Sequence, residues 1–242
     1  MTLSDMMNIG LMQGFAGLSL FAVLLLMGLG LAIIFGQMGV INMAHGEFMT
    51  IGAYSIYLAA RVTESLAPEF MPYYFPIAIA LAFVFAFIVG WIVEWALIRH
   101  LYKRPLDTLL ATWGVSLGLQ QIFRTFIGPM ANATGIDTRK TDRLTFAIGC
   151  GIAGVAGAAF TTIGSTGPTS GSLYIVDAYL VVTFGGAASL FGTVVSAFGI
   201  AQTQSVSEFF MTGSMAKVLT LSLIVFILML RPQGLFAVKV RR

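Results

Sequence analysis

Long intervals without a charged side chain constrain this chain more than any other feature. Asp5 is followed by no Asp, Glu, Lys or Arg until Glu47, Glu69 by none until Glu94, Arg143 by none until Asp177, and Asp177 by none until Glu208. A bilayer core takes about 20 apolar residues per helix, and each interval can hold at least one such helix. A soluble surface needs charges interspersed throughout, which this spacing denies. Composition agrees: 58% of the 242 residues are hydrophobic and 10% charged, against about 45–50% and about 25% in soluble domains. The expected class is a polytopic membrane protein.

Other classes fall away. The net charge is +3, but the basic residues sit at segment ends rather than along one face, which fits membrane orientation and not nucleic-acid binding. One cysteine, Cys150, in a Gly/Ala-rich run leaves neither a disulfide framework nor a Cys-based metal site. No Lys or Arg precedes Arg61, so the N-terminus lacks the basic region of a signal peptide, and its apolar stretch is expected to stay in the mature protein. The sequence holds no G-x-x-x-x-G-K-[ST] phosphate loop and no H-E-x-x-H zinc motif. It also lacks the mid-helix acidic and basic partners of a proton- or sodium-coupled carrier. No catalytic residue, metal or cofactor is expected on this chain.

The fold class expected is all-α: a polytopic transmembrane helical bundle with glycine-broken helices and an inverted repeat, in one domain over residues 1–242. Helical spans are expected near Gly14–Phe35, Glu47–Ala60, Pro76–Ile98, Leu106–Ile127, Leu144–Ile163 and Met215–Leu230. Tyr174–Phe210 is apolar but interrupted by Gly185, Gly186 and Gly192. The apolar runs are continuous, without the ten-residue alternation of a membrane barrel. Arg61–Met71, followed by Pro72 and Pro76, reads as a surface loop.

Basic residues in short loops set the orientation. Arg99, Lys103 and Arg104 mark one cytoplasmic loop, Arg139, Lys140 and Arg143 another, and Lys239, Arg241 and Arg242 a cytoplasmic C-terminus. These assignments conflict at one place. If Leu106–Ile127 crosses fully, Arg139, Lys140 and Arg143 fall outside. Either that helix re-enters, or a return crossing is missing near Pro129 and Met130.

Two glycine-interrupted runs echo each other: Ile34–Ala53, with Gly36, Gly39, Gly46 and Gly52, and Val182–Gly199, with Gly185, Gly186, Gly192 and Gly199. Such pairs point to a pathway built from discontinuous helices, because freed backbone groups at membrane depth are tolerated only beside protein or water. Close helix packing is the alternative reading, and Gly149, Ala153 and Gly157 illustrate it. Asn42, His45, Glu47, Gly185 and Gly186 are the candidate pathway residues. A charged residue at the bilayer centre costs about 2.5–3.5 kcal/mol on insertion scales, so Glu47 is a functional candidate by default. The structural alternative has Asn42 capping a helix that starts near Met43, with His45 and Glu47 bonding freed backbone groups. Glu94 reads as an interfacial residue snorkelling to water, Asp107 as a helix cap, and Asp177 as a cap or a conduit residue. Trp91, Trp95 and Trp113 read as interfacial anchors.

These residues also carry a resemblance. Gly39–Tyr54 (GVINMAHGEFMTIGAY), Gly192–Gly199 (GTVVSAFG) and Arg231–Phe236 (RPQGLF) resemble the permease subunits of branched-chain amino acid-type ABC importers. Asp107–Gln121, Thr138–Ala159 and Tyr174–Gly186 are more similar to the urea branch. The resemblance implies a second homologous permease, two cytoplasmic ATPase subunits that use ATP, and a periplasmic solute-binding protein. It further implies a bacterial inner membrane location. Residues 131–143 resemble the end of a cytoplasmic coupling segment, with Asn132, Gly135, Asp137 and Thr138 as ATPase-facing positions. Family members carry a further membrane-crossing segment where Pro129 here joins Met130.

The leading expectation is the permease subunit of an ATP-driven importer for urea or a short-chain amide, with branched-chain amino acids next. A passive small-solute channel and a truncated, non-transporting remnant are the alternatives.

Overall fold

In a bilayer every backbone N–H and C=O must find a partner inside the protein, so uninterrupted apolar runs fold as helices. The computed structural model describes residues 3–101, 104–126, 140–164, 167–186 and 189–236. Asn132, Gly135, Asp137, Thr138 and the Pro129–Met130 join lie outside them. Among the described residues the α-helices are α1 (Leu3–Met38), α2 (His45–Leu66), α3 (Tyr74–Ala96), α4 (Pro105–Phe126), α5 (Lys140–Phe160), α6 (Ser170–Gly185), α7 (Leu190–Phe210) and α8 (Gly213–Leu230). No strand occurs among them. The all-α bundle is as expected.

Among the described residues, four continuous helical stretches are long and apolar enough to cross a membrane: Met6–Met38, Pro68–His100, Arg143–Phe160 and Gly213–Leu230. α6 is apolar but shorter. The surface loop expected at Arg61–Met71 is instead mostly helical. α2 runs on to Leu66, and Pro68–Tyr73 forms a 3-10 turn. Pro68 opens that turn, where a missing N–H leaves no bond unmade.

Small residues let the helix backbones touch. On α3, Ala78, Ala82, Ala86 and Gly90 recur every four residues and are buried. They face α5, where Gly154 lies against Ala82 and Ala86, and Gly90 lies against Cys150. Gly149 meets Gly30 of α1, and Gly157 meets the Met49 carbonyl of α2. The glycine spacing on α5 therefore serves close packing. Around it, Met27 and Leu31 of α1, Phe48 of α2, and Phe146 and Ala153 of α5 form the main buried cluster. A second cluster joins Leu24, Val181, Ala197, Ile200 and Ile224 across α1, α6, α7 and α8.

Two ion pairs tie these helices and correct the sequence reading. Glu94 does not snorkel: it is fully buried, and its Oε2 accepts from Arg143 Nε at 3.0 Å. Arg143 is equally buried, with its guanidinium 5.0 Å from the Trp91 ring, so it belongs to the first turn of α5 and not to a solvated loop. Trp91 thus packs against a cation. Asp177 neither caps nor interrupts a helix; it sits within α6 and pairs with Lys217 of α8 at 2.7 Å. Asp107 lies in the first turn of α4, where the helix dipole favours a carboxylate, 3.4 Å from exposed Arg104.

Candidate functional site

The first glycine break ends α1 and starts α2. Gly39 adopts φ +64°, a left-handed conformation that any Cβ would strain. The chain then turns back into the bundle and re-enters helix at His45. Asn42 steers this turn: its Oδ1 accepts from Ala44 N at 3.1 Å, and its carbonyl accepts from His45 N at 3.1 Å. Asn42 therefore orders the turn before the helix, whereas the cap position belongs to Ala44, with no side-chain bond. Gly46 sits against Gly171 of α6, backbone to backbone, so a Cβ on either would collide with the other's carbonyl. Gly171 N also donates to Thr50 Oγ1 at 3.0 Å.

His45 reaches across to α1, with Nε2 3.1 Å from the Met27 carbonyl. A carbonyl only accepts, so Nε2 carries the proton there. The partner is backbone, but a carbonyl inside α1 and not one of the groups freed at the break. Glu47 meets side chains instead. Its Oε1 accepts from Ser116 Oγ at 3.0 Å and from Gln120 Nε2 at 2.9 Å, both on α4. Gln120 donates to Ser116 as well, at 3.1 Å. One turn earlier on α4, Thr112 Oγ1 accepts from Met43 N at 3.0 Å.

Thr108, Thr112, Ser116 and Gln120 recur every four residues and so share one face of α4. Leu106, Leu110, Trp113 and Leu117, which flank this stripe, are exposed. The sequence reading missed this stripe, although its four-residue period is visible in Asp107–Gln121. What spacing could not supply is the partner: Ser116 and Glu47 are 69 positions apart.

Asn42, His45 and Glu47 are all fully buried. Each also keeps one polar atom without a hydrogen-bond partner: Asn42 Nδ2, His45 Nδ1 and Glu47 Oε2. A buried group left unsatisfied costs about 1–3 kcal/mol, and more when charged. Three such atoms within six residues make the elbow a polar spot inside an apolar bundle.

The second break separates α6 from α7. Gly186 has φ +102°, Gly185 packs against Gly192, and Ser189 caps α7 by accepting from Gly192 N at 3.0 Å. Ser196 donates to the Val181 carbonyl. The tail closes the break from outside. Leu235 N donates to Phe184 O at 2.8 Å and Phe236 N to Gly185 O at 3.1 Å, while the Phe236 ring meets Phe191 edge-on at 5.3 Å. RPQGLF thus supplies donors to carbonyls at the α6 terminus, a role the sequence did not reveal.

The structure brings Asn42, His45 and Glu47 together but not with Gly185 and Gly186. Gly46 touches Gly171 at the start of α6, whereas Gly185 ends it, about 21 Å along at the α-helical rise. The two breaks do share α1, since His45 bonds Met27 and Gly28 abuts Thr193 of α7.

Residues 14–131 and 128–228 match the family described as branched-chain amino acid transport system / permease component. The chain belongs to that family. It is a multi-pass membrane protein and a transporter component, not an enzyme. No curated protein and no solved structure matches the chain.

Proposed function

We propose that this chain is the permease subunit of an ATP-driven importer, and that it carries a small neutral solute, urea or a short-chain amide, with branched-chain amino acids as the next choice. The family membership carries the transport reading. The narrower choice is supported by the elbow. Among the described residues whose hydrogen bonds reach it from α1 and α4, namely Met27, Thr112, Ser116 and Gln120, none is basic. An amino acid's carboxylate would lack a cation there, while an uncharged amide needs only hydrogen bonds.

In this reading ATP is hydrolysed by two partner ATPases, a second permease completes the conduit, and a periplasmic binding protein delivers solute. The chain lies in the bacterial inner membrane with a cytoplasmic C-terminus. Residues 131–139 lead toward the ATPase, with Asn132, Gly135, Asp137 and Thr138 facing it; residues 140–143 already belong to α5. The family match comes in two stretches that meet at 128–131, which supports a shortened connection at Pro129–Met130. Alternating access then moves the elbow relative to α4.

Uptake of labelled urea by cells producing the complete system tests this. Uptake should require this chain and stop when ATP is depleted. Uptake that survives depletion would make the chain a passive channel, and no uptake without ATPase co-purification would make it a remnant.

A further inference from the structure

Glu47 is held in an unusual way. Both donors that reach it, Ser116 Oγ and Gln120 Nε2, converge on Oε1. The other oxygen, Oε2, is buried and receives no donor. Two α4 side chains therefore fix the carboxylate in one orientation and leave one acceptor unused. Before the helix, Asn42 spends Oδ1 on Ala44 N, which leaves Nδ2, a donor, unused and buried. Buried polar groups in folded proteins are overwhelmingly paired, so an unused acceptor and an unused donor on one short elbow call for a function.

We infer that this elbow is the solute-recognition element of the permease, with Glu47 Oε2 accepting an N–H and Asn42 Nδ2 donating to a carbonyl. A carboxamide or urea presents that complementary pair, an NH2 beside a C=O. Ser116 and Gln120 act as positioning residues, because they occupy Oε1 and leave Oε2 as the unused acceptor of the carboxylate. Full burial of Asn42 and Glu47 means that access follows movement of the elbow, as alternating access requires. The inference rests on the transport reading above and adds the residues that select the solute.

The test uses membrane vesicles containing the full chain and its partner subunits, with acetamide and N,N-dimethylacetamide as probes. The second probe keeps the carbonyl but has no N–H. Wild-type vesicles should take up acetamide with a half-saturation concentration about tenfold lower than for the dimethyl compound, the ratio equivalent to losing about 1.4 kcal/mol. Glu47→Gln keeps an oxygen for Ser116 and Gln120 but turns the free atom into a donor. It should raise the acetamide half-saturation about tenfold and erase the preference. Asn42→Asp, which keeps Oδ1 for Ala44 and removes the free donor, should weaken both probes alike. Equal handling of the two amides by the wild type overturns the inference without any variant having to fold. Unchanged Glu47→Gln kinetics overturns it too, and in both cases ATP-dependent amide uptake would leave the transport reading standing. Absence of ATP-dependent amide uptake in wild-type vesicles overturns both.

Discussion

Arg143 Nε lies 3.0 Å from Glu94 Oε2, and neither side chain is exposed to solvent. The pair joins the last turns of α3 to the first turn of α5, the helix against which α1, α2 and α3 all pack. Two buried charges gain their attraction only by losing hydration, so the pair is worth much less than the damage done by removing one member. Arg143→Met alone should cost about 3–5 kcal/mol, and Glu94→Leu with Arg143→Met markedly less. Thermal denaturation of the detergent-solubilised chain reads both. A double variant no better than the single one would show that the charges themselves are needed.

The glycines at the first break do different work. A Cβ on Gly39 meets nothing within 4 Å, but φ is +64°; alanine there should cost about 1–2 kcal/mol, the penalty of the left-handed conformation. Gly46 has no room, because Gly171 presents a carbonyl rather than a flexible side chain. Gly46→Ala should push the two helices apart and lower the melting temperature well below that of Gly39→Ala. The reverse order would contradict the packing described.

The C-terminal tail should stabilise the second break. Gly234 has φ +78°, and a Cβ on it would fall 2.6 Å from the Thr183 carbonyl and 2.8 Å from Gly186 N. Gly234→Val should therefore lift Leu235 and Phe236 away from the Phe184 and Gly185 carbonyls. Amide hydrogen exchange over residues 182–192 should accelerate, while exchange in α3 and α5 should not change. Equal protection in the variant would mean that the tail is dispensable to α6.

Thr112 should matter through its oxygen. Thr112→Val keeps the shape but leaves Met43 N–H without its acceptor, at a cost of about 1–3 kcal/mol. Thr112→Ser should restore most of it. Thermal stability of the two variants separates the hydrogen bond from packing, since serine loses a methyl group and keeps the hydroxyl, while valine does the reverse.

How far the sequence carried follows from the range over which each signal acts. Charge-free runs and glycine interruptions are local, so the helical bundle and both breaks were legible, as was the close packing of Gly149 and Gly157. Helix ends were less so: α1 extends beyond Gly14–Phe35 at both ends, and α2 runs beyond Ala60. Partners distant in sequence were not legible. Glu94 and Arg143 are 49 positions apart, and nothing local says that one neutralises the other. The polar stripe of α4 was visible as a period, but its meeting with Glu47 requires the chain to reverse twice. His45 and Glu47 were both read as bonding backbone freed at the break; His45 instead reaches a carbonyl inside α1, and Glu47 meets side chains of α4.

The most direct test of the central claim asks on which side of the membrane Arg139 lies. Cys150, the chain's single cysteine, is buried, so Arg139→Cys introduces one reactive thiol against a quiet background. An ATPase can act on the segment before α5 only from the cytoplasm. A membrane-impermeant thiol reagent should therefore label the variant in inside-out vesicles and not in intact spheroplasts. Labelling in spheroplasts would place the segment on the far side from ATP and contradict the account of an ATP-driven permease.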